Sequence, residues 1–248
     1  MPPSIPSCFQ QENTSPQMKI TDPNPPVTTL LFDMDNTLFD LVAAKHGACR
    51  TVVRHFGRDD WEDLFNYFMR PAYGFEDWRN IRDYLVDRDI FSTADYHLSC
   101  SSYETVKLGA IRPYPGISDL LGNLKARGIP LALLTDADMV HARARLGVSG
   151  FLGLFDHMVT FEMTGRKKPD HAPFLLALKK LDLEAADTVM IGDSPVRDLA
   201  PAREIGMRTV YARYGDRLAG ARGEITGHEC IDNIAELEDL LLPLIRTG

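Results

Sequence analysis

The stretch "LLFDMDNTLFD", residues 30–40, closes an apolar run with two aspartates separated by one residue. A carboxylate placed where a buried strand runs out can attack an electrophile, and Asp33 occupies such a position. Asp35, two residues on, returns to the same side of the chain if the backbone turns there. A second carboxylate in that place can protonate a departing alkoxide and then deprotonate a water. Asp33 and Asp35 therefore read as nucleophile and acid/base, although a DxD pair on its own is also frequent in turns.

Two further acids occur in "IGDSPVRD", where Asp193 ends another apolar run and Asp198 falls in the first turn or two of the following helix. Carboxylates converging from two strand tips repel one another unless a hard cation with oxygen ligands joins them. Mg2+ suits such a set, and it also neutralises a phosphoryl group. Donors to phosphate oxygens are at hand as well. Thr135 ends the run "LALLT", and Lys168 sits in "GRKKPD" just before a proline placed to open a helix. Hydroxyl, ammonium and metal would then surround one tetrahedral anion.

These residues need elements that carry them to one place. The segment "VTTLLFD" at 27–33 rises in β-branched and apolar residues, as a strand buried on both faces does. Four later segments share that character: 129–136, 157–161, 187–193 and 207–213. Helical patterns separate them at 117–128, 138–147, 171–182 and 194–206, and a last one covers 234–245. The alternation predicts an α/β fold, a Rossmann-like doubly wound parallel sheet with right-handed crossovers. One interval breaks it. Residues 40–110 carry amphipathic helical patterns without a strong strand, longer than an ordinary connection. They are expected to form a small α-helical cap inserted after the first strand, with the catalytic core built from 27–39 and 111–248. Strand C-terminal ends are where open α/β sheets hold ligands, so a lid emerging there would lie over the site. Residues 1–26, rich in Pro, Ser, Gln and Asn, read as an extended or disordered leader.

Composition excludes several classes of function. The net charge of −8 leaves no basic field to collect nucleic acid or an anionic membrane. The four cysteines lack CxxC spacing and the density of a secreted disulfide scaffold, and no histidine pattern offers a zinc site. No apolar stretch approaches the length of a membrane span, and no signal-peptide core is present. The expectation is a soluble, cytoplasmic protein, monomer or homodimer, that meets a small molecule.

DxDxT at 33–37, Thr135, the Lys168-Pro169 pair and GDSxxxD from 192 together resemble the four motifs of the haloacid dehalogenase superfamily, in order and spacing, across residues 27 to about 215. The resemblance implies Mg-dependent phosphoryl transfer through an aspartyl-phosphate. It also implies roles: Asp33 as nucleophile and metal ligand, Asp35 as acid/base with its backbone carbonyl on the metal, and Asp193 as a further ligand. Thr135 and Lys168 would hold phosphate. Asp198 would orient Lys168 or a metal-bound water. An aspartate at position 35 favours phosphate esters, since the dehalogenases and phosphonate-cleaving relatives lack it. A small phosphomonoester, a nucleoside monophosphate or sugar phosphate, is the implied substrate. A phosphomutase or a catalytically silent phosphate-binding regulator would use the same pocket.

Finer features separate possibilities within the family. "DNTLFD" is closer to pyrimidine nucleotidase-like and acylneuraminate phosphatase-like members than to the phosphoglycolate group. Asp136 departs from the Asn or Ser often found after the motif-two threonine; a third acid beside phosphate must point away or meet a cation. Lys167 reads as a solvated surface charge. The aromatics of "WEDLFNYFMRPAYGFEDW" suit the core of the helical insert better than a stack on a nucleobase. Arg54, Arg70, Arg79 and Arg82 are candidate contacts to a second anionic group.

Overall fold

The structure, a computed structural model, describes residues 27–217 and 227–243. The expected leader and the last residues of the C-terminal helical pattern lie outside them. Continuous apolar runs form the strands β1 Thr29–Phe32, β2 Leu131–Leu134, β3 His157–Val159, β4 Thr188–Gly192, β5 Arg208–Ala212 and β6 Glu229–Ile231. They make one parallel sheet in the order β3-β2-β1-β4-β5-β6. Alternate side chains serve opposite faces, as the pleat requires. Leu30, Phe32, Leu131, Leu133 and Ile191 enter one buried cluster, whereas Leu31, Ala132, Leu134 and Met190 enter the other.

The first four of the five helices between β1 and β2 form the insert: α1 Leu41–His55, α2 Trp61–Met69, α3 Arg79–Asp87 and α4 Thr93–Ala110. They share a cluster of their own, with Val52, Leu64, Phe68, Ile81, Leu85 and Tyr103 buried together. Local chemistry sets their starts: the Asp40 carboxylate accepts from the amide of Ala43 ahead of α1, and Ser92 accepts from that of Asp95 ahead of α4. The α5 helix, Ile117–Ala126, then leads to β2. It is followed in chain order by α6 Met139–Val148, the single turn α7 Phe161–Thr164, α8 His171–Leu181, α9 Ala200–Glu204 and α10 Ile234–Leu241. Helices α5, α6 and α10 contribute to the first face of the sheet, and α8 and α9 to the second.

Two features differ from the sequence reading. β6 was not expected: it is a three-residue edge strand with only Ile231 buried, so it carries no apolar run to detect. The pattern at 194–206 does not form one regular helix. It opens as a wide turn over Pro195–Leu199, where the Leu199 amide donates to Ser194 O at 3.3 Å, before α9 begins. Pro201 removes one amide from an α ladder that would run on from Pro195, which favours this break.

The strand tips are packed closely against the loop after β5. A Cβ placed on Gly215 would fall 1.7 Å from the backbone oxygen of Asn36 and 3.3 Å from Cβ of Asp193. Gly215→Ala is therefore expected to destabilise the fold by roughly 1–3 kcal/mol or more, as overpacking against backbone does. Gly122→Ala, in α5 with nothing within 4 Å of its Cβ, is expected to be neutral or stabilising. Urea unfolding midpoints of the two variants check this pair.

Candidate active site

Strand order reverses between β1 and β4, and at such a point the crevice beyond the C-terminal ends opens to ligands. The register pairs Phe32 with Ile191, and the Asp33 amide donates to Ile191 O at 2.8 Å. Asp33 and Asp193 thus leave adjacent strand ends side by side. The chain after Asp33 doubles back tightly: the Leu38 amide donates to Met34 O at 2.9 Å, with Asn36 in the left-handed region at φ 65. Asparagine tolerates that conformation better than most residues. The turn brings Asp35 to the cavity while Asp33 stays beneath it.

Asp33, Asp193 and Asp198 are buried, and each offers a carboxylate oxygen within 4.8 Å of the others. Asp198 reaches this group because Gly192 has no side chain; a Cβ there would lie 2.7 Å from Asp198 Cβ. Lys168 Nζ lies 2.5 Å from Asp33 Oδ1 and 2.6 Å from Asp198 Oδ1. Burial pushes the Asp33 carboxyl up, to about 6, against the pull of Lys168. Burial, then the charges of Asp33 and Asp198, raise Asp193 well above the ordinary carboxylate range. Burial opposes the Lys168 ammonium, yet Asp198 and Asp33 outweigh it and hold its pKa above the usual value. Lys168 and Arg197 against Asp33, Asp193, Asp198 and Asp136 leave a deficit of positive charge, and Oδ1 of Asp193 is buried without a hydrogen-bond partner. An all-oxygen donor set with an unpaired ligand atom fits a hard divalent cation.

The other residues singled out from sequence divide between floor and wall. Thr135 is buried at the tip of β2, its hydroxyl accepting from the Ala137 amide at 3.1 Å. Asp136 meets a cation, as its place beside the site demands: it accepts from Arg197 at 3.3 Å, and its other oxygen accepts from the backbone amide of Lys168 at 2.9 Å. A cavity of about 470 Å³ opens above, with Asp35, Lys168 and Asp193 in its lining. Lys167 also lines it, with Nζ 5.2 Å from the Phe161 ring, so it faces the pocket mouth as well as solvent. Of the four arginines considered, Arg70 alone is in the lining, and it pairs with Asp83 at 3.0 Å. The aromatics divide: Phe65 packs within the helical insert, while Tyr73 faces the cavity and Phe68 and Phe75 do both.

Sequence reasoning did not single out Arg145 or Glu76. Arg145 Nη1 donates to Asp35 Oδ2 at 2.6 Å, and its Nη2 donates to Glu76 Oε2 at 2.8 Å. Glu76 also accepts from Lys107 at 2.6 Å and from Lys45 at 3.3 Å. Burial raises the Asp35 carboxyl, with Arg145 opposing. Burial works the other way on Glu76 and loses: Lys45, Arg145 and Lys107 hold it well below its usual value. One signal was present. Arg145 shares the helical stripe of Ala142 and Leu146, both buried, where a charge needs a partner.

Comparison with known proteins agrees with this geometry. The model of the haloacid dehalogenase-like hydrolases matches residues 27–206. A glyceraldehyde 3-phosphate phosphatase of Methanocaldococcus jannaschii is 29% identical over 224 residues, 86% of this chain and 96% of its own. A ribulose-1,5-bisphosphate 5-phosphatase of Halopiger xanaduensis is 30% identical over 243 residues, covering 86% and 99%. Among solved structures, a phosphatase from Thermococcus onnurineus superposes with TM-score 0.63 at 24% identity over 87% of this chain and 98% of the other, a likeness of fold.

One hydroxyl ties the two strand tips together. Thr37 Oγ1 donates to Asp33 Oδ2 at 3.0 Å and accepts from the Asp193 amide at 3.1 Å. Thr37→Val keeps the shape but leaves a buried amide without an acceptor, at a cost of about 1–3 kcal/mol. Chemical denaturation measures it, and a loss under 0.5 kcal/mol, the size of a surface substitution, would mean that the tips do not depend on this bridge.

Proposed function

The chain belongs to the haloacid dehalogenase-like hydrolase family, and on that premise we propose that it is a Mg-dependent phosphatase of a small sugar phosphate, working through an aspartyl-phosphate on Asp33. The observation that carries the reading is the convergence of Asp33, Asp193, Asp198 and Lys168 beneath a cavity whose wall holds a second, separately paired aspartate, Asp35. The names of the relatives given above favour a phosphorylated sugar over a nucleotide.

In this reading an Asp33 oxygen attacks phosphorus while Asp35 protonates the departing ester oxygen. Asp35 then takes a proton from water, whose oxygen attacks the aspartyl-phosphate and returns Asp33 to a carboxylate. Lys168 holds the phosphate oxygens and, kept cationic by Asp198, opposes the charge of the attacking carboxylate; Thr135 completes the phosphate cradle. Asp33 and Asp193, with the Asp35 carbonyl, would hold Mg2+, which when bound screens the phosphoryl charge from these carboxylates. Asp198 orients Lys168 from below. The helical insert, residues 40–110, acts as a cap that keeps bulk water from the chemistry. Its side chains Tyr73, Phe75 and Arg70, facing the cavity, select the alcohol part of the substrate.

Phosphate release from a panel of sugar phosphates, phosphoglycolate, nucleotides and p-nitrophenyl phosphate, with Mg2+ and with chelator, tests this. Release that needs Mg2+ and is strongest for sugar phosphates is the expected result. Phosphoryl transfer to a second sugar position without free phosphate would make the protein a mutase, and silence across the panel from folded protein would leave a binding role. Asp33→Asn is expected to abolish turnover. Asp35→Asn is expected to slow it by about 10²–10⁴-fold with the fold intact, as loss of an acid/base group does.

A further inference from the structure

Arg145 is 2% exposed, on the core side of α6, and it joins two layers of the protein. Its Nη1 donates to Oδ2 of Asp35 at 2.6 Å, and its Nη2 donates to Oε2 of Glu76 at 2.8 Å. Glu76 belongs to the segment between α2 and α3 and lines the cavity. Two buried lysines fix it there: Lys107 of α4 at 2.6 Å and Lys45 of α1 at 3.3 Å. The guanidinium is thus gripped on one edge by a carboxylate of the helical insert while its other edge grips Asp35. A planar fork with fixed donor directions holds a carboxylate in one orientation.

This arrangement makes the two oxygens of Asp35 unequal. Oδ2 faces a donor that has no acceptor capacity, so a proton on Asp35 belongs to Oδ1. Oδ1 is buried and has no hydrogen-bond partner. A buried polar atom left open in this way, on a residue lining the cavity, calls for a partner that the protein itself does not supply.

We propose that Arg145 is a positioning residue for leaving-group protonation: it orients Asp35 so that Oδ1 hands its proton to the ester oxygen, and Glu76 ties that orientation to the helical insert. The proposal rests on the phosphatase reading given above. As an Asp33 oxygen bonds to phosphorus, the bond from phosphorus to the ester oxygen breaks and its electron pair goes to that oxygen. The oxygen takes the proton from Oδ1 of Asp35. The carboxylate so formed faces the positive charge of Arg145. In the second step Asp35 recovers a proton from the attacking water. Arg145 lines the cavity beside Asp35, but its Nη1 and Nη2 are held by the carboxylates of Asp35 and Glu76, so its effect is confined to how well Asp35 gives the proton and recovers it.

That confinement sets the experiment. An alkyl phosphate, whose alkoxide must be protonated, is compared with p-nitrophenyl phosphate, whose nitrophenolate leaves unaided; circular dichroism verifies each variant's fold. Arg145→Met is expected to lower the first-turnover rate of alcohol release from the alkyl ester by about 10–100-fold, a part of what general acid catalysis supplies, with a change under about 3-fold in the first-turnover release of nitrophenolate; the later hydrolysis of the aspartyl-phosphate is common to both esters and lies outside this readout. In an Asp35→Asn background, Arg145→Met is expected to add no further discrimination between the esters. Arg145→Lys keeps the buried charge and reaches one carboxylate at a time, so an intermediate discrimination is expected, and this variant decides the matter if Arg145→Met does not fold. Glu76→Gln is expected to move the ratio in the same direction. Equal losses of this first-turnover rate on both esters, or none on either, from a wild type that hydrolyses both would overturn the role of Arg145 while leaving the phosphatase reading in place. A wild type inactive on both would remove the reading, and the proposal with it.

Discussion

Three carboxylates buried together, two at the ends of adjacent strands and one from the turn that follows β4, are the constraint on which the rest of the structure depends. Like charges that close in a dry place are expensive, and each buried oxygen needs a donor or a cation. The fold supplies what it can. Lys168 bridges Asp33 and Asp198, the amide of Ser194 donates to Asp198 at 3.0 Å, and Thr37 binds Asp33. The remaining need, marked by the unpaired oxygen of Asp193, is one that a divalent cation meets. A parallel sheet suits this task because its tips end together and helices cover both faces, so the carboxylates stand at a common edge with little water around them.

The helical insert contributes a second polar system with a different character. Glu76 carries the charges of Lys45, Lys107 and Arg145 at once, and Lys107 also pairs with Glu104 at 2.9 Å. Lys45 lies among aromatic rings, with Nζ 3.8 Å from the centre of Phe75, and burial presses its pKa down to about 8. Buried ion pairs of this kind add little net stability over a well-packed apolar core, but removing one partner is costly. Their effect is on geometry: the segment after α2 has no regular secondary structure, and these contacts give it one position over the cavity. That segment carries Tyr73 and Phe75, so the same charges that reach Asp35 also fix part of the substrate wall.

The sheet was largely legible in the sequence because strands buried on both faces must be apolar throughout. Runs such as Leu30–Phe32 and Val189–Ile191 therefore announce themselves. β6 did not, since an edge strand with two exposed residues has no such composition. The wide turn at Pro195 carries the pattern of a plain helix because proline at a helix start is ordinary; only the packing of Asp198 beneath Gly192 distinguishes it. Site residues followed the same division. Asp33, Asp193 and Lys168 each sit where an element begins or ends, which local patterns mark. Arg145 and Glu76 are 69 residues apart in sequence, and no spacing rule foretells that α6 and the insert meet there. Asp136 is a middle case: its charge requires that it point away or meet a cation, and nothing in the sequence names Arg197 or the Lys168 amide as its partners.

The DxD spacing acquires its meaning from these two polar systems. Asp33 and Asp35 are neighbours in sequence, yet the turn at Asn36 sends them into different surroundings. Asp33 has both oxygens engaged, one by the Lys168 ammonium and one by the Thr37 hydroxyl. Donors on both oxygens favour the ionised form and leave no comfortable place for a proton, which suits a nucleophile. Asp35 has one oxygen on Arg145 and the other bare. That oxygen can carry a proton and give it up, which suits an acid that becomes a base. Separate roles for adjacent carboxylates require separate environments, and a single intervening residue cannot create them. Here the separation comes from the chain's organisation: the strand tip and Lys168 surround one aspartate, and α6 with the helical insert surrounds the other.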